Sequence, residues 1–340
     1  MEHLGEKPFR ARQVASWLHK RCAVSFDEMT DLSLDLRQKL AAHYRLDTLD
    51  VNSVLRSADG SLKLVLGTVD GHLIEVVYIP EWRVRDDGKD PLKRPPDRST
   101  LCVSTQVGCA MGCAFCRTAT MGLVRNLTVG EMVDQVYRAC AWLGTEAGRP
   151  ISNLVFMGMG EPLANYENLK GALNLLLSPE GLNFSHRHVT VSTCGLVPVL
   201  ERLGKETAVK VAISLTGTTD AVRDELMPIN RRWPLSELLN ACRRLPLKRG
   251  RRITFEYVLL ADRTDSLEDA DRLAKLLSGL PAKVNLISYN ESPGLAFRSP
   301  TDERIEAFRE RLAEKNLTVV VRRSRGRDIG AACGQLASKE

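Results

Sequence analysis

Residues 101–116 read LCVSTQVGCAMGCAFC, and the fold turns on them. Leu101–Thr105 is a strand candidate. It is followed at once by Cys109-Ala-Met-Gly-Cys113-Ala-Phe-Cys116, a C-x3-C-x2-C triplet. Nine cysteines scattered at random would give that spacing with a probability of roughly 1%. A structural zinc site draws on four protein ligands, and no fourth Cys or His lies within the triplet's own loop. Three thiolates suit a [4Fe–4S] cluster with one iron left open to an amine and a carboxylate of a small molecule. Three buried structural cysteines are the alternative that this spacing disfavours.

Outward from the triplet toward the C-terminus, strand and helix patterns alternate. Strands are expected at Leu101–Thr105, Asn153–Met157, His188–Ser192, Lys210–Leu215, Ile253–Leu260 and Lys283–Ser288. A last strand is expected at Leu317–Val321. Helical stretches near 130–143, 166–177, 196–204, 235–245, 267–278 and 302–315 separate them. Such alternation argues for an α/β fold with a parallel sheet of βαβ units, closed or part-closed into a barrel. Chemistry in a barrel gathers at the carboxyl ends of its strands.

Toward the N-terminus, residues 1–48 read as helical, with Val14, Trp17 and Leu18 at one helical spacing and Leu32, Leu36 and Leu40 at another. Ser25 and Glu28 have the spacing of a capping box. Residues 49–80 change to period two, with turns at Asp59-Gly60 and Asp70-Gly71, as in an antiparallel meander. Residues 81–98 are charged and proline-rich and read as a surface loop, and residues 99–340 form the α/β core.

Composition limits the setting. The chain has 340 residues, 44% of them hydrophobic, which excludes disorder as the dominant state. No apolar run approaches the roughly 18 residues of a membrane span, and the charged start lacks the apolar stretch of a signal peptide. The expectation is a cytoplasmic protein with no membrane partner. In that compartment nine cysteines point to metal or thiol chemistry rather than to a disulfide framework. With 48 Lys+Arg against 42 Asp+Glu, the net charge of +6 hints at a polyanionic partner. The arginines crowd into two clusters, 243–252 and 322–327. Basic runs are usually solvated faces, but the second leads straight into a glycine-flanked Cys333, where phosphate contacts would position a nucleotide.

The triplet, with Phe115 before its last cysteine, resembles the radical S-adenosylmethionine (SAM) superfamily, which implies a partial (β/α)6 barrel. Leu101-Cys102-Val-Ser-Thr-Gln-Val-Gly-Cys109, Met157-Gly-Met-Gly-Glu161-Pro and Asp328-Ile-Gly-Ala-Ala-Cys333-Gly-Gln-Leu resemble the RNA adenosine methyltransferases of the RlmN/Cfr type. Gly5-Glu-Lys-Pro-Phe-Arg and Phe26-Asp-Glu-Met-Thr-Asp-Leu resemble the RlmN-like members. The resemblance implies a [4Fe–4S] cluster on Cys109, Cys113 and Cys116, and SAM held by Gly160, Glu161, Ser192, Ser214, Leu215, Thr216 and Asn290. It also implies an RNA partner (23S ribosomal RNA and transfer RNA), an RNA-binding helical domain over 1–48, and a reducing donor such as flavodoxin or ferredoxin.

The implied chemistry needs two further cysteines. Carbon 2 of adenine is a poor nucleophile, so the cofactor supplies radical chemistry and the protein positions it. In the implied scheme Cys333 becomes an S-methylcysteine, a second SAM generates a radical on that methyl, and its carbon bonds to the base. Glu75 would accept a proton, unless a cysteine takes it, and Cys102 would attack the Cys333 sulfur to release the product. Taken alone, Cys102 and Cys333 read as structural cysteines, Glu75 as a solvated strand residue, and the Ser, Thr and Asn positions as turns or caps. Three features depart from the family pattern: Thr216 where Ser-Leu-His is usual, Asn290 within Tyr-Asn-Glu-Ser-Pro, and the 81–98 insertion. A Cfr-like enzyme acting at carbon 8 is the nearer alternative, and a glycyl-radical activase the remoter one.

Overall fold

The computed structural model describes residues 1–46, 48–83, 92, 94–144, 151–248 and 250–337. The interior of the expected 81–98 loop and Arg249 therefore lie outside the described residues. Strands β1 (Leu49–Arg56), β2 (Leu62–Thr68) and β3 (Leu73–Glu81) form the antiparallel meander expected from the alternation. The meander is continuous with the main sheet. β3 pairs antiparallel with β4 (Arg98–Cys102), placing Val77 opposite Cys102.

After β4, β5 (Gln106–Gly108) and β6 (Leu123–Asn126) fold back as a separate ribbon around the cysteine triplet. Parallel pairing then runs from β4 through β7 (Asn153–Phe156), β8 (Val189–Thr193), β9 (Lys210–Ser214), β10 (Ile253–Leu259), β11 (Ala282–Ser288) and β12 (Val319–Arg322). Helices α3 (Val129–Trp142), α4 (Tyr166–Leu177), α5 (Val197–Glu206), α6 (Asp220–Leu226), α7 (Leu235–Arg244), α8 (Leu267–Leu277) and α9 (Asp302–Glu314) make the crossovers. The strands and long helices lie within a few residues of their expected positions. The ribbon and α6 were not foreseen, because three or seven residues are too few to establish a period.

At the N-terminus, helices α1 (Phe9–Lys20) and α2 (Leu34–His43) lie around their own small core of Val14, Met29, Leu32, Leu36 and Leu40. Ser25 and Glu28 do not start a helix, contrary to expectation. The Glu28 carboxylate accepts from the Ser25 hydroxyl and the Val24 N–H, which closes a turn, and Ser33 caps the helix instead. A true capping box sits at Thr128 and Glu131, where α3 begins. Asp134 of α3 accepts from Thr48 Oγ1 at 2.8 Å and from the Leu49 N–H at 2.9 Å, tying the helical unit's exit to the barrel.

The sheet is a part-closed barrel whose open side is bridged by side chains. Asp59 and Ser57, in the β1–β2 turn, reach the segment after β12: Gly326 N–H donates to Asp59 Oδ2 at 2.9 Å, and Ser57 Oγ donates to Asp328 Oδ1 at 2.7 Å. One face of the sheet thereby becomes an interior. Register places Val77, Cys102 and Val155 side by side on that face, then Ser192 beside Ala212, and Ser214 beside Glu256 and Asn285. Among the described residues, no helix is long and apolar enough to cross a membrane.

Gly108 shows how tightly the triplet's approach is built. Its φ is +74°, and a Cβ there would lie 1.9 Å from the Gly122 carbonyl, which also accepts from the Cys109 N–H. Gly108→Ala should cost more than about 2 kcal/mol from backbone strain and the clash together. Chemical denaturation of the two proteins checks this. An unchanged midpoint would contradict the close approach.

Candidate active site

A cavity opens at the carboxyl ends of the parallel strands, and Cys109, Cys113 and Cys116 share its wall with Met111, Phe115 and Met227. Burial pushes the Cys109 thiol up to about 11, with the Cys116 thiol adding to it. Burial raises the Cys113 thiol further, reinforced by both neighbouring thiols. Three thiolates so placed are stable only beside compensating positive charge, which a bound iron–sulfur cluster carries. Among the described residues, no group of His, Cys, Asp and Glu converges as a single-ion site. The donor set fits a cluster that spans the cavity wall.

The Gly-Met-Gly-Glu turn after β7 forms the next wall. Gly160 has φ +97°, and a Cβ on it would lie 2.8 Å from the Gln106 nitrogen, so the turn is pressed against the strand that leads to the triplet. Glu161 is buried. Its carboxylate accepts from the Leu163 N–H at 3.0 Å and the Cys194 N–H at 2.9 Å, while burial raises its pKa. Ser192, Ser214, Thr216 and Asn290 line the same cavity from the ends of β8, β9 and β11. Thr216 holds φ +21°, a conformation unusual for a β-branched residue, and its hydroxyl accepts from the Val258 N–H. Leu215 is fully buried and is not part of the wall; its carbonyl accepts from Arg223 Nε at 2.9 Å.

Arg223, on α6, carries no sequence signal that would single it out. It is fully buried and also donates to the Cys194 carbonyl at 2.7 Å, the Ser214 carbonyl at 3.3 Å and Asn230 Oδ1 at 2.9 Å. One guanidinium thus fixes the ends of β8 and β9 behind the cavity. The fork of five donors explains why lysine would not substitute.

Cys333 and Gly334 complete the cavity from the other side. The segment is pinned, not loose. Arg117 N–H donates to the Gly334 carbonyl at 2.8 Å, Asn290 Nδ2 to the Cys333 carbonyl at 3.1 Å, and Thr118 Oγ1 to the Leu336 carbonyl at 2.6 Å. Asn290 is therefore a latch as well as a wall residue, because its Oδ1 also accepts from Arg327 Nε at 2.9 Å.

A second cavity adjoins the first at Met157, Ile287, Arg322 and Cys333, and it reaches Cys102. The structure thus brings the two cysteines to one space, with no disulfide between them. Burial, followed by the neighbouring Cys333 thiol, pushes the Cys102 thiol up to about 12. Arg322 faces both cavities, and the Cys333 thiol is the main cause of its raised pKa. Its Nη1 donates to the Met157 thioether at 3.7 Å. This arginine therefore faces the cavities rather than solvent.

Glu75 is buried on β3, contrary to the solvated face that its alternating strand suggests. It lines neither cavity. Its Oε1 pairs with Lys63 Nζ at 3.2 Å, Lys63 also donates to the Gly330 carbonyl at 3.3 Å, and Oε2 has no partner. The first arginine cluster lies just ahead of β10, at the amino ends of the strands and away from the cavity. Arg244 pairs there with Glu201, and Arg252 donates to Thr318. Glu256 was missed altogether. It lines the first cavity, takes a hydrogen bond from Asn285 at 2.9 Å, and leaves Oε2 buried without a partner. A lone carboxylate within Ile253–Leu260 was the available signal.

Comparisons with known proteins follow this geometry. The model of the ribosomal RNA large subunit methyltransferase N-terminal domain matches residues 1–46, and the radical SAM superfamily model matches residues 103–277. The dual-specificity RNA methyltransferase RlmN of Anaeromyxobacter dehalogenans is 61% identical over 340 residues, covering 99% of this chain and 88% of the relative. The protein of the same name from Geobacter sulfurreducens is 50% identical, covering 98% and 88%. The crystal structure of a radical SAM methyltransferase from Sphaerobacter thermophilus superposes with a TM-score of 0.90 at 46% identity, covering 98% of this chain and 94% of that one.

Burial raises the Glu256 pKa against the opposing pull of Arg322. A carboxyl whose folded pKa exceeds its unfolded value of about 4.3 loses stability as pH rises through that window. Glu256→Gln removes this loss. Denaturation midpoints measured at about pH 5 and about pH 8 should show the variant gaining on the wild type at the higher pH. Parallel profiles would mean that Arg322 already neutralises the carboxylate.

Proposed function

The chain belongs to the RlmN family of radical SAM RNA methyltransferases, and on that premise we propose that it methylates carbon 2 of an adenosine in RNA through a methylated Cys333. The observation that carries the reading is the shared space of Cys333 and Cys102 beside the cavity of the cysteine triplet. A mononucleophilic methyl transfer would need neither thiol. The proposed RNAs are large-subunit ribosomal RNA and transfer RNA. The RlmN-type helical domain at 1–46 supports the first, and the dual-specificity relatives support a second RNA. That helical domain would bind the RNA.

Cys109, Cys113 and Cys116 would hold the cluster, which when bound supplies and recovers the electron for cleaving SAM, drawn from a donor such as flavodoxin or ferredoxin. Gly160, Glu161, Ser192, Ser214, Thr216 and Asn290 would orient SAM in the first cavity, with Leu215 acting through the strand end that it buries. In the first step, the Cys333 thiolate attacks the methyl carbon of one SAM, taking the methyl and releasing S-adenosylhomocysteine. Arg322 shares both cavities with the Cys333 sulfur.

The Cys333 methyl next loses a hydrogen atom to the deoxyadenosyl fragment of a second SAM, and its carbon bonds to the base. The adduct gives up an electron and the carbon 2 proton. Cys102, as thiolate, then attacks the Cys333 sulfur. The sulfur–carbon bond breaks, a disulfide forms, and the released carbon takes up a proton as the methyl group. Glu75, which lines neither cavity in this state, is the proton acceptor proposed from the family resemblance, and its Oε2 is unpartnered. Its pairing with Lys63, which holds the Gly330 carbonyl, couples that carboxylate to the Cys333 segment.

Cys102→Ala should leave Cys333 able to reach the base but unable to be released. Incubation with labelled RNA, SAM and reductant should give a covalent protein–RNA species on a denaturing gel. Cys333→Ala should give none. Absence of the species from both variants would sink the scheme and favour a protein-directed activase. For the wild type, mass spectrometry of digested RNA should show 2-methyladenosine, whereas 8-methyladenosine would move the reading to the Cfr-like alternative.

A further inference from the structure

The second cavity contains a residue that neither the triplet chemistry nor the cysteine pair explains. Trp82 opens the 81–98 insertion, and the indole forms part of the wall that also carries Cys102, Arg322 and Cys333. It is held firmly by described residues alone. Trp82 Nε1 donates to the Arg94 carbonyl at 3.0 Å, and the Arg94 guanidinium donates to the Arg83 carbonyl at 2.7 Å. Arg83 N–H donates to Asp97 at 2.9 Å, which closes the base of the insertion. The ring lies flush against Gly60, where a Cβ would come within 2.9 Å of it. Gly60 belongs to the turn whose Asp59 holds the Cys333 segment through Gly326.

We infer that Trp82 is the stacking platform for the nucleotide that is methylated, placing the base plane between the indole and the Cys333 segment. The inference rests on the RNA methyltransferase reading and adds to it a residue from this chain's own insertion. The cavity has the chemistry of a nucleotide site. Its floor is the thiol pair, and its walls are apolar at Ile79, Met157, Ile287 and Leu336. Its rim carries Arg323 and Arg325, where a phosphate backbone would pass. Arg325 donates to the Asp59 carbonyl at 3.3 Å, and the rim carboxylate of Glu81 faces Arg98 at 3.7 Å. Trp82 is the one aromatic among the described residues lining this space. A base withdrawn from its own stack needs a replacement surface, and an aromatic face supplies one to any base.

The test uses full-length, cluster-loaded protein and a transcript carrying the adenosine that the wild type methylates. Trp82→Leu keeps apolar bulk against Gly60 but removes the flat ring, and Trp82→Phe keeps a ring. Trp82→Leu should raise the KM for RNA roughly five- to a hundredfold, the range that base–aromatic stacking supports, while Trp82→Phe recovers most of the loss. Iron content and the denaturation midpoint establish that each variant is folded. A Trp82→Leu enzyme with wild-type KM overturns the inference, as does a Trp82→Phe enzyme as impaired as Trp82→Leu. A wild type that methylates no RNA overturns the functional reading, and the stacking platform falls with it.

Discussion

The Cys333 segment is held in place by hydrogen bonds from four separate parts of the chain, and the site depends on that attachment. The meander turn reaches it through Asp59 and Ser57, β2 through Lys63, the triplet loop through Arg117 and Thr118, and the end of β11 through Asn290. Without it, the part-closed barrel would have an open side and the triplet would face a single wall. The glycines at 326, 330 and 334 all have positive φ, so the segment turns where other residues would be strained. The same attachment forms two adjoining cavities, one against the triplet and one against Cys102.

Beneath the segment the barrel interior is polar and buried, which is costly unless each group is matched. Arg223 is matched by three carbonyls and an amide oxygen, and Glu161 by two backbone N–H groups. Glu75 and Glu256 are each left with one unpartnered oxygen, and both lie on the interior face. For Glu256 that burial also raises the affinity for a proton, the combination that marks carboxylates in working sites. The thiols follow the same rule. Cys102 is poorly ionised in this state, and Arg322 is the group able to favour a thiolate beside it.

The expectations that failed have a common cause. Ser25 and Glu28 have the spacing of a capping box, but the Glu28 carboxylate takes the Ser25 hydroxyl and the Val24 N–H with no helix after them, since spacing does not specify what the next turn does. The arginines at 322–327 read as one basic run, yet Arg322 points inward, Arg325 leans on Asp59 and Arg327 binds Asn290. Alternation alone would leave Glu75 solvated, because it marks two faces without saying that both will be covered. Trp82 belonged to a stretch without period and drew no attention.

The sequence by itself determined the parts whose information is local. The triplet's spacing pointed to a donor set, the alternation of periods fixed strands and crossovers, and the three long motifs fixed the family. Nine cysteines could be sorted into three expected for a cluster and two proposed for covalent chemistry. Only the tertiary structure decided which of the remaining polar groups meet them. Cys102 and Cys333 are separated by most of the chain's parallel sheet, and their meeting depends on pairing register and on a side-chain bridge across the barrel's open side. Such contacts arise from packing between distant segments, and no period or spacing within either segment encodes them.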